Sequence, residues 1–347
     1  MNNKVLNNLI LCLTICWAYS GIAATVTNYD FCSLPMSSSN ADPRLLPMWN
    51  AATVHQETAR LATSDQLRGT PLAAYPTSYV AMTEVRDQER CGGSLAIPDR
   101  QSRLIGDLLA DLMSRWLVLT VEECEGNVDD ATGLCGSVSR TTNKRLGTLE
   151  SALDMTAVYL SSHMATALLA VTFDDVFWSQ EFPASTHCSE HPCSPAVMRA
   201  RVDFLKRYKK YYDLNNKFLS SNISTVAESL KRACLIKGPA FEVGARIAER
   251  LPFEGLFKTI RDETFAAVLG GISAVSPDTH PMLKQVGSSY TTQFAEFKLW
   301  DKPPQSIIFA ERKARALLSN MLLTSGLSLL GSRSPQDLAE SVDCQPN

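Results

Sequence analysis

The sequence predicts an all-α protein: an irregular multi-helix domain built around a long apolar helix and stapled by disulfides. Three observations predict this class. Apolar residues recur at spacings of three and four along much of the chain, which is the period of an amphipathic helix. One apolar run, 149–178, contains neither proline nor glycine. An even number of cysteines follows an export signal, which favours a disulfide framework.

Residues 1–24 have the pattern of a signal peptide. Lys4 precedes an apolar core, and small residues at Ala23 and Ala24 mark the expected cleavage point. The core is short for a membrane span of about 20 residues, although an uncleaved anchor is the alternative. We therefore expect a periplasmic or secreted protein. Loss of Lys4 would change the net charge from −3 to −4, so nucleic acid is not an expected partner.

Composition divides the rest of the chain into three parts. Residues 25–98 predict an extended, loop-rich lead-in, because serine, asparagine, proline and glycine recur without a clear period. Residues 99–330 predict the helical domain, and 331–347 a polar C-terminal tail. Inside the lead-in, 48–68 hint at a helix and 79–86 resemble a short strand.

The clearest amphipathic helix begins at Asp99, which can cap it, and runs towards Cys124. Pro195 suits the first turn of another, basic helix, and Pro303 and Pro304 precede the last one. Further helices are expected at 224–236, at 240–270 with a break at Pro252, at 281–300 and at 305–330.

The long apolar helix is expected to form the centre of the domain. From Ala152 to Phe173 it carries one acid, Asp154, and one histidine, His163. About 20 residues would suffice to span a membrane, but these polar residues lower its hydrophobicity. The pattern favours a buried core helix over a membrane span or a partner-facing helix. His163 is accordingly interpreted as a core histidine.

Eight cysteines lie outside the predicted signal peptide. Two pairs are close in sequence and flank short polar loops, so we expect the local disulfides Cys124–Cys135 and Cys188–Cys193. The remaining four are expected to form long-range disulfides of undetermined pairing: Cys32, Cys91, Cys234 and Cys344.

One cluster has residue types that could bind a metal. His187 and His191 lie beside Cys188 and Cys193, and imidazole and thiolate bind zinc or copper. The spacing is not a Cys-x-x-Cys pair and no second cluster completes a four-ligand site, so a disulfide is the favoured interpretation. No cofactor is expected. The chain has no Gly-x-Ser-x-Gly motif, phosphate-binding loop or dinucleotide fingerprint, so no catalytic residue is predicted.

The helix that follows Pro195 is the most basic part of the chain. Cations interleaved with Tyr208, Tyr211 and Tyr212 could engage nucleic acid, an anionic membrane surface or an acidic partner. A solvated helix face is the simpler interpretation. The basic surface is expected at Arg199, Arg201, Lys206, Arg207, Lys209 and Lys210.

The segment FAERKARALLSNMLLTSGLSLLGSR, at 309–333, combines an arginine-containing helix, Ser319-Asn320 followed by apolar residues, and Arg333. It resembles the last helix of the periplasmic IcmX-type component of type IVB secretion and conjugation systems. The resemblance implies a non-enzymatic structural or assembly component of an envelope apparatus, with protein partners. A secreted effector or surface-binding protein is the first alternative, and a hydrolase without a recognisable motif is the second.

Overall fold

A computed structural model describes residues 31–32, 49–92, 99–124, 133–190, 193–221, 223–236, 253–271, 305–324 and 333–339. The described residues are predominantly helical and contain no strand, which confirms the predicted all-α class. The predicted signal peptide and the predicted helix at 281–300 lie outside the described residues.

The described ranges contain eleven α-helices. Their bounds are α1 Ala51–Thr63, α2 Ala74–Cys91, α3 Arg100–Glu123, α4 Gly133–Lys144, α5 Thr148–Phe173, α6 Asp175–Glu181, α7 Pro195–Ser221, α8 Ile223–Arg232, α9 Phe253–Gly271, α10 Gln305–Thr324 and α11 Pro335–Ala339. Short 3₁₀ turns at Pro71–Ala73 and Ala184–Thr186 precede α2 and follow α6.

Helix α5 is the centre of the fold. Its N-terminal half contacts α2, α4 and α10, and its C-terminal half contacts α3, α7 and α9. By length and composition alone α5 could cross a membrane, and it is the one such helix in the described residues. However, 94% of its most apolar window is buried inside the protein. This is the burial expected of a core helix.

A π-helical turn at Tyr159–His163 interrupts α5. A wide turn releases backbone carbonyls from the regular hydrogen-bond ladder, and they need other donors. The hydroxyl of Thr264 on α9 donates to the carbonyl of Leu160 at 3.0 Å, and Ser161 donates to Ala157 at 2.5 Å. The wide turn is therefore held partly by a neighbouring helix.

Within the predicted loop-rich lead-in, Ala51–Thr63 form α1 and Ala74–Cys91 form α2, so an extended segment is wrong for these residues. Helix α1 lies within 48–68, where the sequence hinted at a helix. Asn50 caps α1 by accepting from the Thr53 amide at 2.9 Å. Pro76 lies in the first turn of α2, where a proline removes no intrahelical hydrogen bond. The predicted strand at 79–86 is the middle of α2.

The described part of the predicted polar tail is bonded to the helical body. The Thr148 amide at the start of α5 donates to the carbonyl of Arg333 at 3.1 Å, and the Arg333 amide donates to the Thr148 hydroxyl at 3.1 Å. The Arg333 guanidinium donates to the carbonyls of Cys234 and Asp337 at 2.8 and 2.6 Å. Residues 333–339 are thus fastened to the helical body.

Three disulfides join described cysteines: Cys32–Cys91, Cys124–Cys135 and Cys188–Cys193. Cys124–Cys135 and Cys188–Cys193 are the local pairs expected from the sequence. Cys234 is disulfide-bonded as well, and Cys344 lies outside the described residues. Because disulfides persist in oxidising compartments, these bonds indicate an extracytoplasmic environment.

Candidate functional site

A cavity of about 80 Å³ lies between helices α2, α3, α5, α7 and α9. Its lining residues recur at helical spacings of three and four, so each helix contributes one face. The cavity has room for several water molecules or a small ligand. The residues that define its chemistry are Tyr75, Tyr79, Arg86, Arg90, Gly106, Tyr159, Tyr208, Tyr211, Tyr212 and Arg261.

Two of these tyrosines belong to a buried hydroxyl chain. Tyr159 donates to the hydroxyl of Tyr79 at 2.7 Å, and Tyr79 lies 2.7 Å from the hydroxyl of Ser114. Ser114 donates to the carbonyl of Ala110 at 2.6 Å. Because Ser114 has committed its proton, each hydroxyl in the chain donates in the same direction. The chain joins α2, α3 and α5 and fixes one wall of the cavity.

Four further tyrosines line the cavity: Tyr75, Tyr208, Tyr211 and Tyr212. Burial raises the pKa of Tyr75 and Tyr208 well above the ordinary value, and neighbouring tyrosines add to this effect. Both side chains are therefore neutral at physiological pH. A neutral hydroxyl in this position can donate a hydrogen bond to a ligand.

Two of the three arginines in the lining are neutralised by aspartates. Arg86 donates to Asp87 from Nε and Nη2 at 2.6 and 2.9 Å. Burial opposes ionisation of Arg86, but the Asp87 carboxylate outweighs it and raises the pKa of the guanidinium. Arg90 forms an ion pair with Asp107, and burial lowers its pKa. These two pairs add no net charge to the cavity.

Arg261 on α9 differs from both. Its side chain is 4% exposed, and its Nε and Nη1 groups are buried without a hydrogen-bond partner in the described part of the chain. The guanidinium lies over the ring of Tyr212, 4.3 Å from the ring centroid, in a cation–π contact. No described acidic side chain forms an ion pair with it. An unpaired buried guanidinium is costly, so Arg261 is the residue in this site that most needs a partner.

Among the described residues, the lining offers hydrogen-bond donors and aromatic surface and includes no acid, histidine or cysteine. Its two threonines are engaged by their own helices: Thr83 donates to the Tyr79 carbonyl at 2.9 Å and Thr156 to the Ala152 carbonyl at 2.7 Å. The chemistry of these groups suits binding of an anion, because arginine and phenol both donate to negatively charged oxygens.

The predicted basic surface needs one correction. Arg201 is fully buried: its Nε and Nη1 groups donate to the carbonyls of Thr186 and Thr172, each at 2.9 Å, and its Nη2 donates to Asp175 at 2.6 Å. The ring of Trp178 lies beside the guanidinium, at 5.6 Å. Arg201 is therefore a structural anchor between α5, α6 and α7, and its position on the inner face of α7 removes it from any surface patch.

The remaining predicted cations lie on the outer face of α7. Arg199, Lys206, Arg207 and Lys210 are exposed. Lys209 is half-buried and is the centre of a small charge network, with Asp213 at 3.1 Å and an ion pair to Asp262 on α9. The tyrosines that the sequence placed among these cations point inward instead, since Tyr208 and Tyr211 are buried in the cavity wall.

The weak metal candidates do not form a site in the described residues. His187 donates from Nε2 to the carbonyl of Phe182 at 2.8 Å, and His191 lies outside the described residues. Asp175, Cys188 and Cys193 do come within 4.8 Å of one another. The two cysteines are bonded to each other, so only the Asp175 carboxylate could act as a ligand while the disulfide is intact.

The two polar residues of the apolar helix have structural partners. His163 is buried, its Nε2 donates to the Met113 carbonyl at 2.8 Å, and its ring stacks on Tyr159 at 5.1 Å. Burial lowers the pKa of His163 to about 4. Asp154 accepts from the Ser137 hydroxyl at 2.6 Å and from Arg140 at 2.8 Å.

The sequence did not predict the cavity. Its one local signal is the tyrosine pair Tyr75 and Tyr79, four residues apart on one face of a helix. Arg261 carries no signal of its own, because an arginine on an amphipathic helix usually faces solvent.

In the part of the chain that the structure describes, fold and site together define a helical, disulfide-bonded protein with a tyrosine-lined cavity that holds an arginine without an acidic partner. Comparison with known protein families, with curated proteins and with solved structures found no match.

Proposed function

We propose that this protein is a non-enzymatic binding protein of an oxidising, extracytoplasmic compartment, and that its cavity binds a small anion. The observation that supports the proposal is the buried guanidinium of Arg261, which lines the cavity without a partner in the described residues. An anion would supply the missing charge and hydrogen bonds. The neutral tyrosine hydroxyls around the cavity would donate to the same ligand.

The proposal predicts an unusual stability profile for Arg261. Replacement of a residue that stabilises the fold lowers the free energy of unfolding of the protein. An unpaired buried cation instead costs stability in the empty protein, so Arg261→Met should leave the stability of the ligand-free protein unchanged or raise it. Binding and stability then respond to this residue in opposite directions.

The purified oxidised protein is mixed with sodium benzoate, acetate or phosphate at constant ionic strength. Its thermal midpoint is measured, and binding is followed by NMR titration. We expect at least one of these anions to raise the midpoint of the wild-type protein, because a ligand that binds only the native state stabilises it. Arg261→Met should abolish that increase. Arg207→Met is the matched control, since Arg207 also stacks on an aromatic ring, that of Phe204, but is exposed. An equal anion-dependent rise of the thermal midpoint in Arg261→Met and Arg207→Met would contradict the proposal.

A second proposal concerns partners: the protein acts as an assembly component of an envelope apparatus in the periplasm, of the secretion or conjugation type. The supporting observation is on α10, where Phe309 and Leu323 are 66% and 70% exposed. They are 14 residues apart, about four turns of a helix with 3.6 residues per turn, and so share one face. At 1.5 Å per residue they lie about 21 Å apart along the axis, so they mark two separate points of one helix face that a partner protein could cover.

This second proposal can be tested by placing a photoreactive amino acid at Phe309 in cells that produce the protein. A crosslink to a component of a secretion or conjugation apparatus would support it, with the exposed Glu84 on α2 as the control position. Recovery of uncrosslinked protein from the medium would favour the alternative, a secreted effector or surface-binding protein.

A further inference from the structure

We infer that the ligand of the cavity is a small organic monoanion, a monocarboxylate with a short apolar or planar body, rather than an inorganic anion such as phosphate. This ligand class rests on the proposed function, because it concerns the same cavity. Three features of the lining support this ligand class: its net charge, the composition of its walls, and the packing around Gly106.

The net charge of the described lining residues is close to one positive charge. Arg86 and Arg90 are neutralised by Asp87 and Asp107, and the raised pKa values of Tyr75 and Tyr208 keep them uncharged. Arg261 alone remains uncompensated among the lining residues that the structure describes. A monoanion would neutralise it. A dianion would leave one negative charge unpaired at low dielectric, which is costly.

The walls are mostly apolar. Beyond the guanidinium groups and hydroxyls, the surface consists of aromatic rings and of aliphatic side chains such as Leu109 and Met113. A hydrated inorganic anion would lose water against this surface without gaining contacts. An organic acid would place its carboxylate on Arg261 and its body against the rings, where burial of apolar area is favourable.

Gly106 on α3 lies where the cavity wall is closely packed. A Cβ atom at this position would lie 3.2 Å from Cε2 of Tyr208, 3.6 Å from Nη2 of Arg90 and 3.6 Å from Cε1 of Tyr211. The contact with Tyr208 is tighter than an ordinary van der Waals contact, so the ring would have to shift by a few tenths of an ångström. Alanine is favoured over glycine inside a helix, so Gly106→Ala should keep the fold and change the shape of the cavity at Tyr208, where the body of the ligand would lie.

The experiment compares four probes by NMR titration of the oxidised protein: acetate, butyrate, benzoate and inorganic phosphate. Two further buried methylene groups should make butyrate bind about tenfold more tightly than acetate, and phosphate should bind more weakly than either butyrate or benzoate. Gly106→Ala should weaken benzoate and butyrate at least fivefold while changing acetate less than twofold. Arg261→Met should weaken all the carboxylates.

The outcomes distinguish a failure of the monocarboxylate inference from a failure of the proposed anion site. If phosphate binds as tightly as butyrate and benzoate, and Arg261→Met removes that binding, the monocarboxylate inference fails and the anion site remains. If acetate binds as tightly as butyrate and benzoate, the carboxylate assignment stands and the apolar body of the ligand is refuted. If Gly106→Ala weakens acetate as strongly as benzoate, the assignment of the apolar body to this part of the cavity fails. If no probe binds, or Arg261→Met changes nothing, both the inference and the proposed function fail.

Discussion

Two buried arginines in this protein should respond to the same substitution in opposite ways. Arg201 donates to two carbonyl oxygens and to the Asp175 carboxylate, whereas Nε and Nη1 of Arg261 have no hydrogen-bond partner in the described residues. Replacement of each by methionine keeps an unbranched apolar side chain and removes the charge. The contrast separates an arginine used for folding from one used for binding.

The magnitude for Arg201→Met follows from the groups that it leaves behind. The carbonyls of Thr172 and Thr186 would each lose their side-chain donor, and the Asp175 carboxylate would lose its cation. Breaking a buried ion pair by removing one partner costs about 3–5 kcal/mol, and each unsatisfied buried acceptor costs about 1–3 kcal/mol. Because Asp175 is partly exposed, we take about 2 kcal/mol for the lost cation, and with about 1 kcal/mol for each of the two carbonyls the expected total is about 4 kcal/mol.

Urea denaturation followed by circular dichroism measures this loss, and the thermal midpoint should fall by roughly 6–12 °C. Arg199→Met is the control, because Arg199 is two residues away on the same helix and exposed; it should change stability by less than about 0.5 kcal/mol. Arg261→Met should not destabilise the ligand-free protein. Equal losses for Arg199→Met and Arg201→Met would refute the anchor role, and a loss above about 2 kcal/mol for Arg261→Met would refute its assignment as an unpaired cation.

Two further predictions concern acid stability and the disulfides. The pKa of His163 is lowered to about 4 by burial, below its unfolded value of about 6.5, so the unfolded chain binds more protons between these values. Stability is therefore lost as the pH falls through that window, by about 3 kcal/mol for this residue, and urea midpoints of His163→Phe should show a correspondingly smaller pH dependence. Replacing the Cys32–Cys91 pair by serines should cost about 4 kcal/mol in the loop-entropy treatment, because the cysteines are 59 residues apart. The same change at Cys188–Cys193, separated by 5 residues, should cost about 2 kcal/mol. Thermal midpoints in the reverse order would contradict the loop-entropy argument.

The helices that the sequence predicted well are those whose start signals are local. Asp99 was expected to cap a helix, and its carboxylate accepts from the Ser102 amide at 2.7 Å at the start of α3. Pro195 was expected in the first turn of a basic helix, and it is the first residue of α7. A cap or an N-terminal proline acts within a few residues, so no knowledge of the tertiary structure was needed.

The errors arose where the deciding partner is distant in sequence. Arg199 and Arg201 have the same residue type two positions apart, and only the packing of α7 against Asp175, 26 residues before Arg201, buries the second. The cavity is assembled from five helices, so no single segment carries its pattern. Pro76 lies within the stretch expected to be loop-rich, and its place in the first turn of α2 becomes evident only in the folded chain.

The π-helical turn in α5 makes the effect of a deletion depend on its position in the helix. A π-helical turn holds one more residue than a regular turn while completing nearly the same rotation, so deletion of one residue within Tyr159–His163 should give a regular turn and leave the following half facing the same neighbours. Deletion of one residue in either flanking half would instead rotate everything after it by about 100° relative to the rest of the helix. We therefore expect α5 to tolerate a single-residue deletion inside the wide turn better than one outside it, although every such helix remains equally apolar.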